Sequence, residues 1–195
     1  MSLCLLTGSS IVQSAAYQRD STTIALLANS MDWAKHRWRK AAAKCHLRLD
    51  LQSFLPACAI VEEAGHHDDT RARQLCAGLQ DGEIALFDKA YVNFDHLYEL
   101  ACRGVSWVTR AKDNMSFRVV RKLRSKPEGK VLRDDLIVLK TPKSRKQYPA
   151  RLRRVVMLVE INGKEVEMAF ITNNVQWAAS SVGALSGAVG NRSIF

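Results

Sequence analysis

The feature that most constrains the fold lies near the middle of the chain, where two short apolar runs flank an amphipathic segment. Ile84–Phe87 is apolar and ends at Asp88, and residues 105–108 form the second run. Between them Asn93 can cap a helix, and Gly104 can end it. The pattern predicts a strand, a helix and a parallel strand, so Asp88 is expected at the carboxyl end of a strand, where open α/β sheets bind ligands. A simple turn-forming or capping role for this aspartate is the alternative.

Upstream of this unit the sequence predicts three successive strands. β-Branched residues follow Asp20. Residues 44–51 alternate, with one face carrying Lys44, His46, Arg48 and Asp50. After a short turn, the apolar residues 57–61 complete an antiparallel hairpin, and a helix is expected over 70–79. Three antiparallel strands followed by helix, strand, helix and strand give an α/β fold with the mixed sheet of RNase H-like (integrase-type) proteins, in which the first and fourth strands are neighbours. Asp20 and Asp88 are therefore expected to meet.

Downstream of this core the sequence changes character. Four strand-like runs are separated by turn residues, and the Asn162-Gly163 pair is a strong hairpin signal. These runs are 117–123, 131–139, 152–161 and 166–172. A helix is then expected over 177–185. We therefore predict a ragged N-terminal segment (1–17), an RNase H-like core (18–112), a basic all-β insertion (113–173), the start of a last helix (174–185) and an aberrant tail without a pattern (186–195).

The charge of the chain favours a polyanionic partner. The formal net charge is +10 and the pI about 9.6. Residues 110–154 hold 16 Lys and Arg against 4 Asp and Glu, so the excess is concentrated in one segment. Nucleic acid is the first expectation and an acidic membrane surface the second, with a merely solvated surface as the alternative.

Candidate phosphate contacts follow from this charge. In residues 33–40 two Trp are interleaved with basic residues, which suits a phosphate backbone with stacking nearby, although a turn whose Trp side chains cover the core is equally consistent. The predicted DNA-binding residues are Lys35, Arg37, Arg39, Lys40, Lys44, Arg110, Lys112, Arg118, Arg121 and Lys122.

The cysteines, the apolar runs and one His-Asp cluster bear on location, membrane insertion and metal binding. The five cysteines are dispersed and form no CxxC pair, which predicts reduced thiols and a cytoplasmic location, nucleoid-associated when bound to DNA. No run approaches the ~20 apolar residues of a membrane helix. The cluster His66-His67-Asp68-Asp69 suggests a metal site, but adjacent side chains rarely converge on one zinc ion, and an aspartate capping the next helix is the favoured interpretation.

Several motifs, in order along the chain, resemble one known family. They are Asp20-Ser21-Thr22-Thr23, residues 40–51, His67-Asp68, residues 87–94, residues 104–114 and Phe170-Ile171-Thr172-Asn173. With them, residues 18–185 resemble the catalytic domain of an insertion-sequence DDE transposase, of the group carrying a Tyr-Arg-Glu-Lys signature.

The resemblance implies DNA transposition by an RNase H-like core with a β-rich insertion before its last helix. It maps Asp20 and Asp88 onto the family's first two catalytic, metal-binding aspartates. It also implies two Mg²⁺ (or Mn²⁺) ions, double-stranded DNA of transposon ends as the partner, a homodimer on that DNA, and no membrane. Phosphoryl transfer of this kind uses two cations about 3.5–4 Å apart, held by carboxylate oxygens.

One family feature is missing. The third catalytic residue is a glutamate in a Tyr-x-x-Arg-x-x-x-Glu pattern on the last helix, and no such pattern occurs. With permitted codons for residues 185–195, a one-base shift reads Tyr-Arg-Ala-Arg-Trp-Ala-Ile-Glu-Val-Phe-Phe, which contains it. A frameshift near Leu185, with truncation at both ends, is one hypothesis, and coincidence from free codon choice is the other.

Three functions remain open at this point. The chain is a transposase catalytic domain impaired by loss of the third acidic residue, a non-catalytic DNA-binding remnant that inhibits an intact transposase through mixed assembly, or an unrelated nuclease with an RNase H-like core.

Overall fold

The computed structural model of the chain describes residues 16–26, 35–36, 40–53, 55–63, 68–124, 129–161 and 163–190. In this part of the chain ten strands form one mixed sheet: β1 (Ala16–Leu26), β2 (Lys35–His36), β3 (Lys40–Asp50), β4 (Pro56–Glu63), β5 (Ile84–Phe87), β6 (Ser106–Arg110), β7 (Phe117–Arg124), β8 (Val131–Leu139), β9 (Leu152–Ile161) and β10 (Lys164–Thr172). The helices are α1 (Asp68–Cys76), α2 (Phe94–Cys102), α3 (Pro142–Gln147) and α4 (Ala179–Gly190), with a 3-10 turn at Lys89–Tyr91.

The first half of the sheet has the predicted topology. Its strand order is β4-β3-β1-β5-β6, with the two-residue β2 also pairing with β3. β1 is antiparallel to β3 and parallel to β5, and β5 is parallel to β6. The expected adjacency of the first strand and the strand that ends before Asp88 is confirmed, as is the RNase H-like fold class.

The second half of the sheet continues from β6 without a break. β10 pairs antiparallel with β6, and β9, β8 and β7 follow as an antiparallel meander. The predicted β9–β10 hairpin is confirmed, with Gly163 at a φ of 73° in the turn. The all-β prediction for this segment is wrong at α3. Thr141 caps that helix by accepting from the Ser144 N–H at 3.2 Å, and Pro142 occupies its first turn.

The last helix is longer than the sequence predicts. α4 ends at Gly190, so it includes five residues that the sequence pattern assigns to the tail. The run of Ala, Ser, Gly and Val contains no proline to stop the helix, and it lacks the apolar periodicity that would have revealed it. Among the described residues, no helix is long and apolar enough to cross a membrane.

Two hydrophobic cores lie on opposite faces of the sheet, because side chains alternate along each strand. On one face Phe87 and Trp107 are buried with residues of α1 and α2, such as Leu75 and Leu100. On the other face Leu86, Val108 and Phe170 pack with Val182 of α4.

Both predicted ends of α2 are confirmed. Asn93 caps the helix by accepting from the His96 N–H at 3.3 Å. Gly104 follows it with a φ of 76°, and a Cβ there would lie 1.9 Å from Oδ1 of Asp81. Glycine is favoured at this position, because the positive φ is strained for any residue with a side chain, and a Cβ would also require Asp81 to move.

A buried ion pair fixes the start of α4. Arg153 on β9 donates to both carboxylate oxygens of Asp134 on β8, at 2.8 and 2.7 Å, and both side chains are 5% exposed. The same guanidinium donates to the carbonyl of Trp177, just before α4. One arginine therefore joins two strands and the entry to the last helix.

Asp134→Asn is expected to lower the free energy of unfolding by about 3–5 kcal/mol, because it leaves the Arg153 charge buried without its counter-ion. Urea unfolding measures this. Glu99→Gln is the control: it breaks the Arg73–Glu99 pair, in which both side chains are more than half exposed, and should cost no more than about 1 kcal/mol. Equal losses in the two variants would contradict the anchoring role of Arg153.

Candidate active site

The parallel pairing of β1 with β5 places the two predicted aspartates at the same level of the sheet. The Cα partners are Ala16 with Ile84, Tyr17 with Ala85 and Gln18 with Leu86. Continuing this register by two residues brings Asp20 level with Asp88. Neighbouring strands lie about 4.8 Å apart, so this continued register would give the two residues adjacent backbone positions just after the carboxyl end of β5.

Arg110 is at the same level on the other side of Asp88. The β5–β6 pairing ends at Phe87 with Thr109, and one further step places Asp88 beside Arg110. Two acidic positions and one basic position therefore form a row across three parallel strands. Such a row at the carboxyl edge of a sheet is a place where an anionic ligand and a cation can be held together.

Asp88 is itself the cap of the turn that follows β5. Its Oδ1 accepts from the Ala90 N–H at 3.0 Å, and its carbonyl accepts from the Tyr91 N–H at 3.1 Å. The capping role that the sequence offered as an alternative for Asp88 is thus observed. It is compatible with cation binding, because a carboxylate has about four lone-pair sites, and the cap orients the group in advance.

Lys112, a predicted DNA contact, also has an internal role. Its ammonium group donates to the carbonyl of Val92 at 3.0 Å. Val92 ends the turn that begins at Asp88, so Lys112 ties the segment after β6 to this turn. The ammonium group of Lys112 is therefore partly engaged by the protein itself.

An open cleft of about 320 Å³ adjoins Arg110 and Lys112 and extends to β9 and β10. Arg154 lines it, with its guanidinium carbon 5.0 Å from the ring centroid of Phe117. Burial lowers the pKa of Arg154, Asp135 and Glu167 act in the opposite direction, and the guanidinium stays charged at neutral pH. The cleft thus offers cationic groups beside an aromatic ring, and Asp113 and Glu167 also line it.

The predicted DNA contacts on β7 are solvent-accessible. Arg118, Arg121 and Lys122 are exposed on β7, the last strand in the sheet order. β7 begins at Phe117, which lines the same cleft as Arg110. Arg118 follows directly, and Arg121 and Lys122 lie further along the strand.

The other predicted contacts have the following positions. Lys35 is in β2 opposite Ala41, and Lys40 is opposite His36 at the start of β3. Lys44 is in β3 opposite Thr23 of β1. Arg37, Arg39, His66 and His67 lie outside the described residues, whereas Asp68 and Asp69 begin α1. Within the described part of the chain, no three His, Cys, Asp or Glu residues are grouped to hold a metal ion.

The sequence did not predict a buried polar network beside the turn. His46 on β3 is fully buried, with Nδ1 3.1 Å from the Tyr91 hydroxyl and Nε2 3.0 Å from Oε1 of Glu62. Arg71 on α1 donates from Nε to Glu62 Oε2 at 2.5 Å. The alternation of β3 placed His46 with charged residues, and only the packing of α1 and the turn over that face shows it to be internal.

α4 brings no carboxylate to the site. It packs against β5 and β6, on the face that carries Leu86 and Val108. Residues 174–195 contain no Asp or Glu. The helix beside the acidic row is therefore without the acidic residue that the family resemblance predicts there.

The pKa of Glu62 reports on the network. Burial raises it, but hydrogen bonds from Arg71 and His46 and their charge outweigh burial, so the pKa is below its usual value of 4.5. A depressed folded-state pKa contributes stability that is present above the unfolded-state pKa and is lost as pH falls.

Glu62→Gln is accordingly expected to destabilise the chain by about 1–3 kcal/mol at pH 7. The difference from the unchanged chain should shrink as pH falls from about 5 toward the depressed pKa. Urea unfolding at a series of pH values measures this. A difference that stays constant down to pH 3 would show that the charge of Glu62 is not the cause.

Comparison with known proteins agrees with this geometry. The sequence model described as "Transposase DDE domain" matches residues 19–185. The putative transposase y4zB of Sinorhizobium fredii is 29% identical over 169 residues, covering 85% of this chain and 46% of that protein. The probable transposase for insertion sequence element IS5377 of Geobacillus stearothermophilus is 26% identical over 165 residues, covering 84% and 42%.

Among solved structures, the fold is similar to piggyBac transposase in a cryo-EM synaptic complex with hairpin DNA. The TM-score is 0.50 and the identity 11%, covering 87% of this chain and 36% of that one. The chain spans less than half the length of the curated relatives it matches. Since the family's sequence model covers most of the chain, the protein belongs to the transposase DDE domain family.

Proposed function

We propose that this chain is the catalytic domain of an insertion-sequence DDE transposase that binds the double-stranded DNA of transposon ends, and that its own strand cleavage is very weak. The observation that supports the proposal is the parallel β1–β5 pairing, which ends at Gln18 with Leu86. Two residues further in the same register, Asp20 falls level with Asp88. It does so within residues matched by the transposase DDE domain. Assembly as a homodimer on DNA, in the cytoplasm or on the nucleoid, belongs to the same proposal.

In this proposal Asp20 and Asp88 hold Mg²⁺ or Mn²⁺. The donor set fits such ions, because both residues supply carboxylate oxygens and the Ala90 N–H already orients Asp88. When bound, the cations activate the attacking oxygen and stabilise the leaving oxygen of the phosphodiester. With no carboxylate on α4, one of the two cations lacks a ligand, which is why we expect weak cleavage.

DNA binding depends on two groups of basic side chains. Arg110 and the cleft are beside Asp88, where they can orient the strand to be cut. The exposed basic residues of β7 follow Phe117, which lines the same cleft. A duplex lying across the sheet would contact both regions, so binding does not require an intact metal site.

A second candidate function follows from α4 itself. A domain that folds and binds DNA but lacks the third acidic residue could act as an inhibitor of an intact transposase by joining its assemblies. Inhibition of a complete relative by this chain would favour that function. The frameshift hypothesis is tested separately by the nucleotide sequence at and after codon 185.

The catalytic part of the proposal predicts metal binding without robust cleavage. Asp20→Asn and Asp88→Asn should each weaken Mn²⁺ binding by about tenfold or more, because a direct ligand is removed. Asp95→Asn, a substitution at an exposed residue of α2, should leave Mn²⁺ binding unchanged. Mn²⁺ affinity by electron paramagnetic resonance and cleavage of labelled transposon-end DNA are the measurements. Robust cleavage by the unchanged chain would contradict the proposed impairment.

The DNA-binding part predicts a steep salt dependence. Replacing Arg118, Arg121 and Lys122 by Gln should weaken binding and reduce the slope of log affinity against log salt by about 0.9 for each phosphate that is no longer neutralised. Arg73→Gln is the control, because Arg73 is paired with Glu99 on α1 and α2. Fluorescence anisotropy with a labelled duplex measures both. An unchanged slope in the triple variant would exclude β7 from the DNA interface.

A further inference from the structure

We propose that Tyr91 is a positioning residue for Asp88, and that the buried chain of Tyr91, His46, Glu62 and Arg71 holds the turn after β5 in the geometry that cation binding needs. This inference rests on the proposed metal role of Asp88. It assigns to Tyr91 and His46 a part in the reaction although neither touches DNA or cation.

The first step is local. Asp88 and Tyr91 belong to one short turn, closed by the hydrogen bond from the Tyr91 N–H to the Asp88 carbonyl. Inside the turn, the Ala90 N–H donates to the Asp88 carboxylate. A displacement of Tyr91 therefore moves the donor that orients the carboxylate, because Ala90 directly precedes Tyr91 along the chain.

The second step connects the turn to the other acidic strand. The Tyr91 hydroxyl is 3.1 Å from Nδ1 of His46 on β3. The next residue of β3, Leu47, is the cross-strand partner of Asp20 on β1. The Tyr91–His46 contact thus links the turn carrying Asp88 to the strand that flanks Asp20, independently of the three-residue pairing between β1 and β5.

The third step is the support of His46 from the other side of its ring. The Glu62 carboxylate only accepts, so His46 Nε2 donates to it. Arg71 donates to the second oxygen of Glu62. Glu62 thereby holds the His46 ring whose Nδ1 is hydrogen-bonded to the Tyr91 hydroxyl.

Burial makes other hydrogen-bond arrangements of Tyr91 and His46 costly. Tyr91 is 1% exposed and His46 0%, so water does not readily replace a missing partner, and an unmatched polar group there is costly. Lys112 holds the carbonyl of Val92 from the opposite side of the turn. The turn after Asp88 is therefore held by side-chain hydrogen bonds at both Tyr91 and Val92.

The test compares substitutions that remove one hydrogen bond at a time. Tyr91→Phe deletes only the hydroxyl. His46→Asn keeps a polar atom near the position of Nδ1, whereas His46→Gln keeps one near Nε2. Tyr148→Phe is the matched control, because Tyr148 is also 1% exposed but lies beyond α3. The measurements are Mn²⁺ affinity, amide hydrogen exchange over residues 89–92, and the thermal unfolding midpoint.

We expect Tyr91→Phe to weaken Mn²⁺ binding about three- to tenfold, the range for one hydrogen bond, and to speed amide exchange at Ala90 and Tyr91. His46→Gln should behave like Tyr91→Phe and add nothing to it in the double variant, whereas His46→Asn should retain most of the affinity. Tyr148→Phe should leave Mn²⁺ affinity unchanged.

The outcomes separate this inference from the function on which it rests. If the unchanged chain binds no Mn²⁺, or Asp88→Asn binds it equally well, the proposed function fails and the role of Tyr91 fails with it. If binding depends on Asp88 but Tyr91→Phe leaves it unchanged, only the inference is overturned. Equal weakening by Tyr91→Phe and Tyr148→Phe would also overturn it, by showing a general effect of stability.

Discussion

The parallel pairing of β1 with β5 is the interaction on which the candidate site depends. Only three residue pairs define it, from Ala16 with Ile84 to Gln18 with Leu86. A slip of one residue would turn every side chain of β1 to the other face and remove Asp20 from the level of Asp88. The register is held largely from outside, by the ladder that pairs β1 with β3 from Tyr17 to Leu26. A long antiparallel hairpin thus positions a short parallel contact, and the register of that contact, continued by two residues, places Asp20 level with Asp88.

The start of β6 and the entry to α4 are held by polar groups that do not belong to α4. Asn173 follows β10, and its side-chain amide accepts from the Trp107 N–H and donates to the Val105 carbonyl, both at 2.9 Å. It thereby continues the pairing of β10 with β6 as a peptide group would. Arg153 holds the carbonyl of Trp177. Since the entry to α4 is fixed in this way, the helix can dock on the sheet even though its own sequence carries no acidic residue.

Much of this architecture could be predicted from the sequence, because its determinants are local. The two apolar runs, the Asn93 cap and Gly104 define strand, helix and strand without reference to the rest of the chain. The partner of His46 could not be predicted, since Tyr91 is 45 residues away in the sequence. The alternation of residues along β3 shows which side chains share a face of the sheet, but not which elements cover that face. The extent of α4 could not be predicted for a related reason: its small residues give no periodic apolar pattern, and the helix is stabilised by packing on the sheet.

The basic charge of the chain divides into two populations that composition cannot distinguish. Arg71 and Arg153 bind carboxylates, Arg103 donates to the carbonyls of Cys76 and Ala77 at the end of α1, and Lys112 holds Val92. These Arg and Lys side chains stabilise the fold. The net charge therefore overstates the positive charge that is available to bind DNA. The exposed cations of β7 form the second population. In the proposed function, a metal ion at Asp88 needs fixed spacing, whereas a DNA duplex needs accessible positive charge. One continuous sheet can offer both, because Asp88 is held by hydrogen bonds within its turn, whereas Arg118, Arg121 and Lys122 are exposed.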